Sequence, residues 1–174
     1  MELKDPAPDF SLKAVDGKSY SLKDFAGAKA LVVIFSCNHC PYVKAYEGRM
    51  VAIQKDYLAK GVRFAAINSN DSAKYPDDSF EEMVKRAKEQ GFNFPYMCDQ
   101  TQAVARKYGA THTPHLFVFD AARRLAYTGK IDDNWENPGA VRSQYLRDAL
   151  DDILAEKPPR LPGTHAIGCT IKWK

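Results

Sequence analysis

Cys37 and Cys40, with Asn38 and His39 between them and Pro41 behind, are the residues of this 174-residue chain best equipped for chemistry. A thiolate attacks a disulfide sulfur, forms a mixed disulfide, and is released when a second thiol attacks it in turn. Two cysteines three positions apart can share that work if a helical turn brings both to one face. His39 adds positive charge or a hydrogen bond beside the pair, which favours the reduced, ionised form and makes the disulfide a better oxidant. The same spacing also suits a structural disulfide, or two soft ligands of a metal such as copper(I) with a histidine completing the set.

The elements that must position this pair lie on either side of it. Leu31-Val32-Val33-Ile34-Phe35 is a short, β-branched apolar run and reads as a buried strand. From Tyr42 to Lys60, Val43, Tyr46, Met50, Ile53 and Tyr57 recur at spacings of three and four, which predicts a helix with one core-facing side. Cys37 is therefore expected where a strand hands over to a helix N-terminus, whose free N–H groups and dipole would lower its pKa. Cys40, one turn on, is then the resolving thiol.

Further along, Phe10–Val15 and Lys18–Leu22 flank Asp16-Gly17, a two-residue hairpin signal. Val62–Asn68 reads as a second apolar strand, followed by a polar loop over Ser69–Asp78. Ser79 and Glu82 form a capping-box pattern ahead of a helix that ends at Gly91. Phe94–Cys98 reads as a brief edge segment, and Asp99 as the cap of a helix through Val104, Ala105 and Tyr108. His115–Asp120 and Arg124–Lys130 are expected to form an antiparallel hairpin, and a last helix is expected over about Ala140–Glu156. Strand and helix alternate through the first crossovers, the pattern of an α/β arrangement. The chain is expected to form one domain over 1–174, with 157–174 as a Pro- and Gly-containing C-terminal tail.

Composition narrows the function classes. A net charge of +3, with no basic cluster interleaved with aromatics, does not suggest nucleic-acid binding. No apolar run approaches the length of a membrane span, and the polar start Met1-Glu2-Leu3-Lys4-Asp5-Pro6 lacks a signal-peptide h-region. Four cysteines, two of them in one motif, are too few for a disulfide scaffold, so a reducing, cytoplasmic setting is expected.

A family resemblance now rests on named residues. A strand, Cys37-Asn38-His39-Cys40 at a helix start, a second strand, and Thr113-Pro114 before a hairpin and final helix are similar to the thioredoxin fold. Ala7-Pro8-Asp9-Phe10-Ser11-Leu12, Asp16-Gly17-Lys18, Ser21-Leu22-Lys23-Asp24-Phe25 and the stretch from Asp99 to Gly109 resemble the redoxin branch, meaning AhpC/TSA peroxiredoxins and TlpA/ResA-type thiol oxidoreductases. The Cys37–Pro41 motif with the ending Ile167-Gly168-Cys169-Thr170-Ile171-Lys172-Trp173 resembles a group of uncharacterised bacterial thioredoxin family proteins. His39 resembles the histidine of protein disulfide isomerase and DsbA, whose potentials lie roughly 90–150 mV above that of thioredoxin.

The resemblance implies a mixed central sheet flanked by helices, with an N-terminal β-hairpin and a C-terminal extension. It implies Cys37 as exposed nucleophile, Cys40 as resolving thiol, and Pro114 as a cis-proline whose neighbour Thr113 packs on the disulfide and pairs with a substrate chain. The implied activity is thiol-disulfide exchange with protein or small-thiol partners and an unidentified reductant, needing no cofactor beyond a Cys37–Cys40 disulfide. Thiol peroxidase activity is an alternative. Peroxiredoxins place a Thr three residues before the reactive Cys, however, and that position holds Ile34 for Cys37, or Cys37 itself for Cys40. No buried acid is evident near the pair, with Glu47 one turn along the helix as a partial substitute. Cys98 is expected to be core packing. Cys169 is a candidate third redox thiol, in a tail whose Ile167, Ile171 and Trp173 favour packing down. His112 and His115 read as surface residues and Arg49 as solvated.

Overall fold

The apolar run before the cysteines is β3 (Ala30–Ser36), buried along its whole length in a computed structural model that describes residues 1–174. Its side chains alternate between two cores. Val32 and Ile34 join one core with Tyr46, Met50, Phe64 and Leu146, while Leu31, Val33 and Phe35 join another with Phe10, Phe25, Tyr108 and Phe117. Both faces are covered, so the strand needs apolar residues at every position rather than at alternate ones.

Around β3 the chain lays down β1 (Ser11–Ala14), β2 (Ser19–Ser21), α1 (Pro41–Leu58), β4 (Val62–Asn68), α2 (Phe80–Gln90), β5 (Tyr96–Cys98), α3 (Ala103–Tyr108), β6 (His112–Thr113), β7 (His115–Phe119), β8 (Leu125–Gly129), α4 (Tyr145–Leu154) and β9 (Cys169–Thr170). Seven strands form one sheet in the order β2-β1-β5-β4-β3-β7-β8, and β6 pairs with β9 in a separate two-stranded ladder. β3, β4 and β5 run parallel, whereas β7 is antiparallel to β3 and to β8. The result is the expected mixed sheet flanked by helices. No helix is long and apolar enough to cross a membrane.

Several expectations are corrected. The Phe94–Cys98 stretch yields β5, an internal strand between β1 and β4, because the N-terminal hairpin pairs along its outer side. The hairpin turn is longer than two residues: Ala14 N–H bonds to Lys18 O, and only Gly17 in the loop takes a positive φ, +83°. The final helix begins at Tyr145, after a separate 3-10 turn at Pro138–Ala140. Ser79 caps α2 by accepting from Glu82 N–H, and Asp99 accepts from Val104 and Ala105 N–H at the start of α3.

Candidate active site

The helix after the cysteines begins one residue beyond Cys40, not at Cys37. Pro41 is its first residue, with φ preset for a helix and no N–H to waste, and Cys40 is its N-cap. Cys37, expected at the helix start and exposed, instead lies in the segment that follows β3, and each of the two cysteines is only 1% exposed. The reason is local. Asn38 N–H donates to Asp78 Oδ1 at 2.8 Å, Asn38 Nδ2 to Asp77 O at 2.9 Å, and Tyr96 Oη to Asn38 Oδ1 at 2.7 Å. Held by those bonds, Asn38 and His39 form a bend, and the N-cap position of α1 falls on Cys40.

The electrostatics follow the geometry. Cys40 Sγ is approached by the Cys37 thiol, the Cys169 thiol and the main-chain N–H groups of Val43 and Cys169. Together, led by the Cys37 bond, they outweigh burial and bring Cys40 down to about 4. The Cys37 thiol is pushed far up, first by donating to Cys40, then by burial, with the Asp78 charge adding to it. Cys169 is raised to about 11 by burial and then by its bond to Cys40. With Cys40 at the positive end of α1 and the Asp78 carboxylate beside Cys37, the sulfur placed to be a thiolate is Cys40, and Cys37 is its proton-bearing neighbour.

Thr113 touches both. Its Oγ1 lies 3.4 Å from Cys37 Sγ, and its carbonyl lies 3.4 Å from Cys40 Sγ, which donates to it when protonated. The Thr113–Pro114 peptide bond is cis. The main-chain edge of Thr113 is already taken, since it pairs with Cys169.

Sequence reasoning missed Asp78, which sits in a 3-10 turn at Pro76–Asp78 and is 2% exposed. Besides Asn38 it accepts from Asn68 Nδ2 at 3.2 Å and Asn70 Nδ2 at 3.0 Å. His39 Nδ1 lies 2.8 Å from Asp78 Oδ2, in contact but not aligned as a hydrogen bond, and the ring stacks on Tyr75. Cys37 Sγ, a His39 ring nitrogen and an Asp78 oxygen all fall within 4.8 Å of one another. A metal would find that trio rather than Cys37, Cys40 and His39, although the carboxylate in it already holds four polar neighbours. Only the weak signal of an acid ending a polar loop was there to find. Glu47, the expected substitute acid, is committed to Arg86 and raised by burial despite that partner.

The remaining candidates separate cleanly. Cys98 is half-buried at the end of β5 and packs beside the first core. His115 is partly buried and lowered to about 4, by burial first, so it is neutral near pH 7. His112 pairs with Thr170 in the small ladder. Arg49 is not solvated. It donates to both oxygens of buried Asp132 at 3.0 and 2.8 Å and to the carbonyls of Asn134 and Trp135, tying α1 to the loop before α4.

A buried cysteine pair at the junction of a central strand and a helix, faced by a cis-proline segment, defines a thioredoxin-fold thiol protein. The family model described as Redoxin matches residues 2–144, and the chain belongs to that family. It is 26% identical over 161 residues to "Thiol-disulfide oxidoreductase ResA" of Bacillus thuringiensis, covering 91% of this chain and 80% of the relative. Among solved structures it resembles an uncharacterised conserved protein of Geobacillus kaustophilus at TM-score 0.94 and 44% identity, covering 99% of this chain and 93% of that one. A hypothetical protein of Sinorhizobium meliloti matches at TM-score 0.92 and 36% identity, covering 100% and 96%. A DsbE-type interchange protein of Chlorobium tepidum, at 20% identity and TM-score 0.68 over 90% and 97%, shares the fold.

Proposed function

We propose that this protein is a thiol-disulfide oxidoreductase in which Cys40 is the nucleophile and Cys37 the resolving thiol, the reverse of the order the motif suggests. The observation that carries the assignment is Cys40 at the N-cap of α1, where the positive end of the helix dipole favours a thiolate, with the Cys37 thiol beside it. Cys40 thiolate attacks a substrate disulfide, and the first substrate sulfur departs as thiolate. Cys37 then gives its proton to the Asp78–His39 pair, attacks Cys40 Sγ, and releases the second substrate sulfur as the Cys37–Cys40 disulfide forms. Substrates are disulfides or dithiols, and the same steps run backwards oxidise a dithiol. A thiolate stabilised in the reduced state favours reduction of the disulfide. The midpoint is therefore expected above the roughly −270 mV of thioredoxin.

Equilibration with glutathione redox buffers, acid quenching and mass mapping tests this. The wild type should form the Cys37–Cys40 disulfide in one two-electron transition. A Cys37→Ser/Cys169→Ser double variant should hold glutathione on Cys40, whereas Cys40→Ser should leave Cys37 largely unmodified. Glutathione collecting on Cys37 instead would restore the opposite order, and cysteines inert to glutathione disulfide would remove the exchange reading.

A further inference from the structure

β6 is a strand of two residues, and its one ladder partner is the end of the same chain. His112 pairs with Thr170 and Thr113 with Cys169. Because Thr113 lies against both sulfurs, its hydroxyl 3.4 Å from Cys37 and its carbonyl 3.4 Å from Cys40, any chain added along this edge places the residue opposite Thr113 over the cysteine pair. Here that residue is itself a cysteine. Cys169 packs against Cys37, Cys40 and Val43, and both its thiol and its main-chain N–H are directed at Cys40 Sγ.

The strand is seated closely. A Cβ on Gly168 would lie 2.0 Å from Thr113 O and 2.6 Å from Thr113 C, so only glycine lets the tail approach the edge. Ile171 is buried in the second core and donates its N–H to Thr111 O at 2.9 Å. Lys172 N–H bonds to Asn70 Oδ1 at 2.9 Å, and Lys172 O accepts from Asp71 N–H at 2.8 Å. Upstream, Thr164 N–H bonds to Thr128 O at 3.0 Å, but residues 165–167 make no main-chain hydrogen bond. The tail is fastened at two stations with a loose span between them.

We propose that the C-terminal strand is an internal substrate, which occupies the polypeptide-pairing edge of β6 and presents Cys169 to Cys40 for disulfide exchange. This rests on Cys40 being the exchange sulfur of the proposed reaction. In the oxidised protein, the Cys169 thiolate attacks Cys40 of the Cys37–Cys40 disulfide. That bond breaks as the Cys40–Cys169 bond forms, and Cys37 leaves with the electron pair and takes up the proton Cys169 gave up. The oxidation state of the protein is unchanged, and no outside oxidant is consumed. Attack of Cys37 on Cys40 reverses the step. An external chain reaches Cys40 only by displacing the tail, which competes at an effective concentration of about millimolar or more.

Full-length protein is treated with glutathione disulfide, acid-quenched, alkylated with N-ethylmaleimide and digested with trypsin without reduction. Cys37 and Cys40 fall in the peptide 30–44, and Cys169 in the peptide 161–172. The deciding variant is Cys37→Ser, in which glutathione on Cys40 should be displaced by Cys169 to leave the two peptides joined. Glutathione staying on Cys40, with Cys169 alkylated, overturns the inference while leaving the exchange reading intact. No oxidation of any cysteine overturns both. Cys40→Ser should yield no joined peptides, and a Cys37–Cys169 link there would overturn Cys40 as the meeting point. Independently, Gly168→Ala should undock the strand and speed alkylation of Cys40 in reduced protein by roughly tenfold, equivalent to about 1.4 kcal/mol. An unchanged rate counts against occupation of the edge by the tail.

Discussion

Cys40 and Cys37 differ by the length of one bend, yet that bend decides which sulfur sees the helix. With Cys40 at about 4 instead of its ordinary 9.0, its thiolate is present throughout pH 5–8. Its rate with a small disulfide should be flat over that range, where an ordinary thiol gains roughly tenfold per pH unit. A steadily rising profile would show that Cys40 is not the ionised sulfur. The same depression has a stability consequence. Between pH 4 and 9.0 the unfolded chain holds a proton on this cysteine that the folded chain does not, so its contribution is complete above 9.0 and gone near 4. Cys37, shifted the other way, contributes below 9.0 and loses that contribution at higher pH. Reduced wild type should therefore gain stability over Cys40→Ser as pH rises from 4 to 9, as read from urea midpoints; parallel curves would refute the shift. Asp78 is tested by separating the two chemical steps. In a Cys169→Ser background, stopped-flow reaction with an aromatic disulfide releases one aromatic thiolate on attack by Cys40 and a second on resolution by Cys37. Asp78→Asn should slow the second release by roughly a hundredfold, within the range for lost general-base catalysis, and leave the first near its original rate. Equal slowing of both would assign Asp78 to holding the 38–39 bend alone.

At the level of elements, the apolar run of β3, the periodic face of α1 and the glycines closing α2 and α3 were legible, because each is written in local spacing. What escaped the sequence depends on partners distant along the chain. Cys37 reads as the residue at the helix N-terminus, but bonds with Asp78 and Tyr96 hold Asn38 outside the helix and leave that place to Cys40, and neither partner adjoins the motif. β5 reads as an edge from its own length, and only the register Lys13↔Cys98 with the hairpin makes it internal. Arg49 looks solvated on a polar helix face, yet Asp132 lies 83 positions away in sequence. That pair is buried at one end, so Arg49→Ala should cost roughly 3–5 kcal/mol in chemical denaturation by stranding the carboxylate. A loss under 1 kcal/mol would show that water can replace the guanidinium. The upstream tail station has its own test at Gly129, where φ is +142° and a Cβ would lie 2.1 Å from Thr164 Oγ1 and 2.6 Å from Thr164 O. Gly129→Ala should cost about 1–3 kcal/mol and make residues 157–168 the first site of proteolysis. Wild-type proteolysis kinetics would mean that this contact does not hold the tail.

Across the whole molecule, the two cores and the tail must differ in stability for the site to work. Cys37 and Cys40 are covered, so a substrate can reach them only if something opens, and the sheet is a poor candidate. β3 and β4 are hydrogen-bonded over seven residues of parallel register, and the paired residues are almost all inaccessible. The tail is held differently. It contributes one buried side chain, Ile171, a two-residue pairing with β6, and a few bonds to Thr128 of β8 and to loop groups, while Ile167 and Trp173 each remain 38% exposed. Little apolar area is lost when it lifts, so its opening free energy should fall well below that of global unfolding. Amide hydrogen exchange on reduced protein measures the difference directly. The N–H groups of Ile171 and Lys172 should exchange orders of magnitude faster than those of Val33 and Ala65, and their exchange should respond weakly to low denaturant because little surface is exposed. If the tail amides exchange only at the rate of the central sheet, the strand leaves only when the protein unfolds. No folded state would then admit a substrate to Cys40, and turnover on outside disulfides would be lost from the account.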